Sequence, residues 1–546
     1  MLGLMQDWPL LCHRVIDHAA SNHAERQIVS RSIEGPIHVT TYAALRGRAL
    51  KVAQRLDRDG IGLGDRVATL AWNTWRHLEV LYGIMGIGGI YHTVNPRLFP
   101  DQIAWIINHA EDRVMMTDLT FVPLLEKLRD KLPSIERYVV LTDAAHMPPT
   151  MLRDAVPYEE WIGEADGDFT WADLDENTAA GMCYTSGTTG NPKGVVYSHR
   201  SNVLHSLTAS MPDVLGLASR DSVMPVVPMF HANGWSLPLT APMVGAALVL
   251  PGANLDCASI YELLTDYRVT LTAAVPTVWL MLLRHLEASG GRLPYLKRVL
   301  IGGSACPRAM MKAFQDVYGV EVMHGWGMTE MSPIGTICSL KPGYAELTGE
   351  ARLDAQRKQG HAPFGVELKI TDDAGRRLAW DGNTCGRLKV RGPAVAKAYF
   401  KEEGGELLDA EGYFDTGDVS TIDAHGYMQI TDRSKDIIKS GGEWISSIDL
   451  ENLAVSHPAV AEAAVIGIQH PQWDERPLLV VIRKGGQSVN REEILGFMEG
   501  KIAKWSLPDD VAFVDDIPHT ATGKIHKIAL RERFKDYVLP VALAAE

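Results

Sequence analysis

Short apolar runs separated by amphipathic stretches recur along the first part of the chain. Val67–Ala71 reads as a strand and Arg76–Ile87 as the helix that follows it. Tyr91–Val94, Val114–Thr117, Val139–Thr142 and Ala179–Tyr184 extend the series as strands. The rhythm resumes with Val223–Met229, Ala247–Leu250, Val269–Val275, Val299–Ile301 and Val320–Met323. Strand–helix alternation at this spacing predicts an α/β fold of doubly wound parallel sheets, covered on both faces. Ligands of such sheets sit beyond the carboxyl ends of the strands. The polar, glycine-rich segments Thr185–Gly190, Phe230–Trp235, Gly302–Ser304 and Gly325–Glu330 fall at the predicted ends, which points to one composite site.

After residue 350 the pattern changes. Val366–Thr371, a turn at Asp372–Gly375, Arg387–Val390 and Tyr427–Ile430 predict short hairpin strands in a small β-barrel-like subdomain. The charged Asp432-Arg-Ser-Lys-Asp436 then stands between two apolar segments and marks a boundary. Beyond it, the apolar stretches Val460–Ile468, Leu478–Ile482 and Ile494–Ile502 predict a smaller α+β domain. The expected organisation is therefore an N-terminal domain over 1–432, a hinge at 433–436 and a C-terminal domain over 437–546.

At 546 residues the chain is too long for one core. Its composition, 46% hydrophobic and 22% charged, is that of an ordinary globular protein. The net charge of −14 argues against a nucleic-acid or anionic-membrane partner, so any phosphate site has to be local. The six cysteines form no C-x-x-C pair, which favours free thiols and a reducing cytoplasm. Met1–Trp8 lacks the basic leader and apolar core of a signal peptide. The most apolar run, Val269–Leu283, contains Pro276 and falls short of the ~20 residues a membrane span needs. Gly60-Ile-Gly-Leu-Gly64 precedes a strand and has the wrong spacing for a dinucleotide loop; it reads as a turn.

The densest chemistry lies in Tyr184-Thr-Ser-Gly-Thr-Thr-Gly-Asn-Pro-Lys-Gly-Val195. Three glycines let the backbone curl, the five Thr, Ser and Asn side chains after Tyr184 add polar groups, and Lys193 adds a cation. Backbone N–H groups converging in one concavity suit an anion with several oxygens. The segment is not a Walker A loop, because Gly-x4-Gly-Lys-[Ser/Thr] fits no register.

Further motifs follow in order. They are Pro228-Met-Phe-His-Ala-Asn-Gly-Trp235, Gly302-Gly-Ser-Ala-Cys-Pro307, Gly325-Trp-Gly-Met-Thr-Glu330 and Tyr413-Phe-Asp-Thr-Gly-Asp418. Asp432–Asp436, Lys439-Ser-Gly-Gly-Glu-Trp444 and Thr520-Ala-Thr-Gly-Lys524 complete the series. The series resembles the adenylate-forming superfamily of acyl-CoA synthetases, peptide-synthetase adenylation domains and firefly-type luciferases. Within it, the chain is most similar to bacterial ligases that join fatty acids or 3-methylmercaptopropionate to CoA.

The resemblance implies an ATP-dependent acid–thiol ligase that makes an acyl-AMP and then a CoA thioester, with Mg2+ as cofactor. It assigns Thr185, Ser186, Gly187, Thr188, Thr189, Gly190 and Lys193 to the β- and γ-phosphates. Thr329 faces the α-phosphate, and Glu330, with Thr185, holds the metal. Trp326 stacks on adenine, where many relatives carry Tyr or Phe, Gly302, Gly303 and Ser304 let the backbone come close, and Gly325, Gly327 and Met328 belong to the same ATP/AMP-binding set. Asp418 and Arg433 serve the ribose or phosphate, although alone they read equally as a turn aspartate and a solvated linker arginine. Lys524 bridges the attacking carboxylate and the α-phosphate. Lys435 is the hinge about which a mobile C-terminal domain turns, and Ser440, Gly441, Gly442 and Trp444 line the thiol's path. Close relatives imply a homodimer.

Phe230–Trp235 carries no carboxylate to hold a substrate ammonium, so an amino acid is not the expected substrate. His231 either contacts the substrate carboxylate or satisfies a buried partner; Trp235 is either a wall of the acyl pocket or ordinary core. Two tryptophans, Trp235 and Trp326, favour a small apolar pocket and a short acid such as 3-methylmercaptopropionate, whose thioether suits aromatic contact. A medium- or long-chain fatty acid is the alternative. A phosphotransferase would use the same anion loop but has no need of the Lys524 segment.

Overall fold

A computed structural model of the chain describes residues 1, 3–185, 191–433, 436, 438–440, 443–519 and 525–540, with backbone only for 439, 443 and 444. The chain packs into two compact units. One comprises Met1–Glu367 with Arg391–Phe414, the other Leu368–Val390 with Asp415–Glu546.

The first unit holds two large sheets. The seven-stranded sheet runs Val156–Pro157, Arg137–Val140, Val114–Thr117, Arg66–Leu70, Ile90–Thr93, Ala179–Tyr184, Gly194–Ser198. Every neighbouring pair in it is parallel except the last, which is an antiparallel hairpin. The eight-stranded sheet runs Ile334–Ile337, Glu321–Gly327, Arg298–Ile301, Leu271–Ala274, Ser222–Pro225, Ala247–Leu250, Gln27–Arg31, Ile37–Thr41. It is parallel inside and antiparallel at both edges. This is the doubly wound α/β architecture that the alternating pattern predicts, and the inner strands are buried because helices cover both faces.

Local chemistry explains the helices that cover them. Thr41 and Thr74 cap Tyr42–Arg58 and Trp75–Gly86, each hydroxyl accepting from a backbone N–H in the first turn. The two helices pack closely where Gly83 faces Val52. A β-carbon at Gly83 would lie 2.5 Å from the Val52 side chain and 3.0 Å from the Ala49 carbonyl oxygen, so only glycine fits. Among the described residues no helix is long and apolar enough to cross a membrane.

Asn73, just past the end of strand Arg66–Leu70, joins the two sheets. Its side-chain amide donates to the carbonyls of Pro225 (2.8 Å) and Val227 (3.0 Å) and accepts from Met229 N (2.7 Å). This explains why the strand expected over Val223–Met229 stops at Pro225: beyond it, Asn73 takes two carbonyls and an N–H. The strand expected over Val320–Met323 is instead longer, Glu321–Gly327, because Ile334–Ile337 folds back against its second half. Gly325, Trp326 and Gly327 therefore lie within a strand rather than beyond its end.

In the second unit, the strands expected after residue 350 form a four-stranded sheet in the order Glu367–Thr371, Gly386–Arg391, Phe414–Ile422, Met428–Arg433. It is an open sheet with two edges, so the barrel-like closure expected from the sequence is not formed among the described residues. A second sheet has the order Glu443–Ile445, Ile438–Ser440, Asp474–Arg483, Val460–His470, with Asp510–Phe513 also paired to Asp474–Arg483. Its central runs, Ala463–Ile466 and Leu478–Val481, are apolar throughout because both faces are covered. Val465, Leu479 and Val481 pack with Leu450 and Ile494 on one side, while Ala464, Ile466, Leu478 and Val480 pack with Leu530 on the other.

A buried polar cluster ties this unit together. The Lys527 ammonium lies 2.8 Å from Glu451 Oε1 and donates to the Ser447 hydroxyl, and the Ser447 N–H donates to Asp432 Oδ2 at 2.7 Å. Burial alone would push the Lys527 ammonium down, but Glu451 and Asp432 hold it above its ordinary value. Removing one member strands the others in a low-dielectric interior. Lys527→Ala is expected to destabilise the second unit by about 3–5 kcal/mol. Hydrogen exchange of Val460–His470 in urea measures this, and the joint change Lys527→Met with Glu451→Leu should cost much less.

Candidate active site

The anion segment is the loop of the antiparallel hairpin at the edge of the seven-stranded sheet. Tyr184 pairs with Gly194, and the two loop ends lock each other. Thr185 N donates to the Lys193 carbonyl at 2.9 Å, and Lys193 N donates to Thr185 Oγ1 at 3.1 Å. Ser186, Gly187, Thr188, Thr189 and Gly190 lie outside the described residues. The base is fixed from below, where the Tyr184 phenol and His109 Nδ1 are 2.7 Å apart.

The Gly325–Glu330 segment is held against the same hairpin. The Tyr197 hydroxyl, on the hairpin's second strand, donates to the Thr329 carbonyl at 2.7 Å. Glu330 is buried, its Oε1 accepting from the Tyr399 hydroxyl (2.7 Å) and its carbonyl from Ala396 N (2.8 Å). The Lys193 ammonium lies over the ring of the same Tyr399, 4.9 Å from its centroid. Lys193, Tyr399, Glu330, Thr329 and Tyr197 thus close a ring of contacts back to the hairpin.

Tight backbone turns shape the neighbouring surface. Met328 N donates to the Pro333 carbonyl at 3.0 Å, and a β-carbon on Gly327 would stand 2.0 Å from that same oxygen. The Trp326 indole lies against Gly335, where a β-carbon would be 2.5 Å from the ring. A β-carbon on Gly302 would lie 3.2 Å from the Trp235 ring and 3.3 Å from the Gly325 carbonyl oxygen, so Trp235 and strand Glu321–Gly327 meet at Gly302. Gly303 has φ +81°, and Ser304 is exposed.

The Phe230–Trp235 segment is unusual in its backbone. Ala232, Asn233, Gly234, Trp235 and Ser236 all have positive φ, between 36° and 64°. Such conformations are held only where the surroundings over-determine them, and they gather at functional sites. Here Asn73 fixes one end at Met229 (2.7 Å), and the Asn233 amide donates to Thr93 Oγ1 (3.0 Å). Trp235 is buried, His231 half-buried. Tyr82, Met85, Tyr91, Asn233, Pro238 and Leu239 help line a small cavity bordering this segment.

In the second unit, Asp418 and Arg433 are register partners on adjacent strands, with Arg433 Nε 2.8 Å from Asp418 Oδ1. Asp418 is buried, so neither residue is the isolated turn or linker charge that it resembles in sequence. Ser440 is buried, its hydroxyl 3.2 Å from Arg476. Lys435, Gly441, Gly442 and Lys524 lie outside the described residues, as does the Trp444 side chain. The sequence reading missed Tyr197, Tyr399, Asn73 and Asn233; Asn233 sat within a recognised motif, whereas nothing local marks the other three.

Glu330 and Thr185 offer only hard oxygen donors, the set that fits Mg2+ rather than a softer transition metal. By ligand proximity alone, the one grouping among the described residues is Glu34, Asp143 and His146. There Glu34 pairs with Arg76 and Thr142 at 2.7 Å each, and Asp143 with His146 at 2.7 Å, which makes it an ion-pair network.

The close approach of Gly327 to Pro333 gives a direct test of this geometry. Gly327→Ala forces a methyl into the Pro333 carbonyl and is expected to cost about 1–3 kcal/mol or more. Thermal melts with and without ATP should show a lower melting temperature and a smaller stabilisation by ATP.

Known proteins give the family. The family model for AMP-binding enzymes matches residues 16–400, and that for the AMP-binding enzyme C-terminal domain matches residues 449–524. The chain is 50% identical to the 3-methylmercaptopropionyl-CoA ligase of Ruegeria pomeroyi over 536 residues, 98% of this chain and 99% of that protein. It is 46% identical to a medium-chain-fatty-acid–CoA ligase of Ectopseudomonas oleovorans over 539 residues, 99% and 98% of the two chains. Among solved structures, the anthranilate CoA ligase AuaEII in complex with anthranoyl-AMP matches with a TM-score of 0.84 at 26% identity, over 97% of this chain and 99% of that one. The family implied by the motif order is the one found: this chain belongs to the AMP-binding enzymes and, within them, to the AMP-forming acyl-CoA ligases.

Proposed function

We propose that the acid joined to CoA is 3-methylmercaptopropionate or a short acid of similar size. The observation that carries this reading is the seating of Trp235 on Gly302, just past strand Arg298–Ile301, in a run of left-handed backbone; in this reading the ring is the end wall of a short acyl pocket. The bordering cavity adds Met85 and the aromatic rings of Tyr82 and Tyr91, a lining that suits a thioether. The similarity to the Ruegeria pomeroyi ligase points the same way. A medium-chain fatty acid is the second reading, favoured by a relative of nearly equal identity.

In this proposal the carboxylate attacks the α-phosphate of ATP, pyrophosphate leaves, and the CoA thiol then displaces AMP from the acyl-AMP. The Thr185–Lys193 loop, including residues 186–190, holds the β- and γ-phosphates, and Thr329 approaches the α-phosphate. Gly302–Ser304 and Gly325–Met328 form the adenine site with Trp326, while Asp418 and Arg433 hold the ribose. His231 faces the carboxylate. Glu330 and the Thr185 hydroxyl hold Mg2+, which when bound neutralises charge on the triphosphate. Lys524 supplies the cation between carboxylate and α-phosphate. Because one arrangement cannot serve both half-reactions, the domain over 437–546 turns about 433–436 at Lys435. Ser440, Gly441, Gly442 and Trp444 then border the thiol's path. We further propose a homodimer working in the cytoplasm, where six free thiols persist.

Two measurements test these assignments. Thioester formation across 3-methylmercaptopropionate, butyrate, octanoate and palmitate should give the highest kcat/KM for the methylthio acid; a maximum at octanoate or beyond selects the second reading. Lys524→Ala should slow acyl-AMP formation by about 100-fold or more, as expected for removing a charge aimed at the developing anion. CoA transfer from preformed acyl-AMP should persist in the same variant, and equal loss of both steps contradicts the role.

A further inference from the structure

The segment from Ala394 to Gly404 crosses from the Glu330 loop to the anion hairpin and touches both. At one end the Ser332 hydroxyl donates to the Ala394 carbonyl (3.0 Å) and Ala396 N to the Glu330 carbonyl (2.8 Å). At the other, a β-carbon on Gly194 would lie 3.0 Å from Phe400 Cβ, and one on Gly404 would lie 2.9 Å from Lys193 Nζ. Lys401 with Glu111 (2.7 Å) and Glu403 with His109 (3.2 Å) fasten this end to the helix beside the hairpin. The strap is therefore anchored on both of the elements it spans.

Tyr399 stands at its centre. Its hydroxyl donates to Glu330 Oε1 at 2.7 Å, and its ring carries the Lys193 ammonium 4.9 Å from the centroid. A hydrogen bond to a carboxylate fixes which oxygens remain for other partners, and a cation over a ring face is held without being neutralised. One side chain thus orients an anion and a cation that come from distant parts of the chain.

We propose that Tyr399 is a positioning residue that sets Glu330 and Lys193 in register for one ligand, the metal-bound triphosphate of ATP. This rests on the reading that Glu330 holds the divalent cation. It goes beyond that reading in assigning orientation of the carboxylate, and of the loop lysine with it, to the strap. Partners that orient a metal ligand typically matter by 10–100-fold in metal affinity or activity.

The test uses binding alone. ATP affinity is measured by calorimetry on the full chain without acid or CoA, once in EDTA and once across a Mg2+ series. Tyr399→Phe keeps the ring under Lys193 and removes only the donor to Glu330. It should leave ATP affinity in EDTA unchanged and raise the Mg2+ concentration for half-saturation by about 10-fold. Tyr399→Leu removes ring and hydroxyl together and should weaken ATP binding in EDTA as well; melting temperatures in EDTA verify that both variants are folded. In a Glu330→Gln background, adding Tyr399→Phe should change nothing further. If Glu330→Gln itself leaves the Mg2+ dependence untouched, the metal reading falls and the proposal with it. If Glu330→Gln shifts the Mg2+ dependence and Tyr399→Phe does not, the proposal alone is overturned.

Discussion

The first unit depends on a closed circuit of contacts around one β-hairpin. Thr185 and Lys193 lock the hairpin's mouth, Thr185 N donating to the Lys193 carbonyl at 2.9 Å and Lys193 N to the Thr185 hydroxyl at 3.1 Å. Tyr197 on its second strand holds the carbonyl of Thr329, and Tyr399 holds the carboxylate of Glu330 while its ring lies under Lys193. Each contact is modest alone. Closed into a circuit, they leave Thr185, Lys193, Thr329 and Glu330 little freedom to shift independently, and such fixed geometry is what phosphoryl transfer asks of a protein.

The chemistry makes that rigidity necessary. A carboxylate and a triphosphate repel, and this chain adds a net charge of −14 of its own. A general basic field is therefore unavailable, and attraction has to come from a few groups placed at short range. Strand ends of two sheets supply the proposed site, Thr185 from the seven-stranded sheet and Gly302 and Glu330 from the eight-stranded one, which is how residues so far apart in sequence would serve one ligand. Asn73 extends the same logic between the two sheets, since it fixes the entry to Phe230–Trp235 with three hydrogen bonds from a single amide.

Much of this was legible in the sequence because burial on both faces writes itself as continuous apolar runs. Val114–Thr117, Ala179–Tyr184 and Ala247–Leu250 match their strands residue for residue. The motif order gave the family; the Pro333 carbonyl leaves no room for a β-carbon at Gly327, and one at Gly302 would be tight against Trp235. What stayed hidden was long-range. Nothing in Val395-Ala-Lys-Ala-Tyr399 reveals a partner 69 residues away, and an asparagine after a strand reads as a turn residue until a second sheet is placed beside it. The strand through Gly325–Gly327 was hidden for a related reason: glycine disfavours strands, and only pairing with Ile334–Ile337 extends it. Asp418 and Arg433 likewise acquire meaning only as register partners.

In the proposed reaction a carboxylate oxygen attacks the α-phosphate, so that the acid is activated as its adenylate. Turnover of 18O-labelled 3-methylmercaptopropionate with ATP and CoA, followed by mass spectrometry of the nucleotide product, tests it most directly. Adenylate formation yields AMP carrying one 18O atom from the carboxylate and unlabelled pyrophosphate. ADP together with 18O-labelled inorganic phosphate would mean attack at the γ-phosphate and would contradict it.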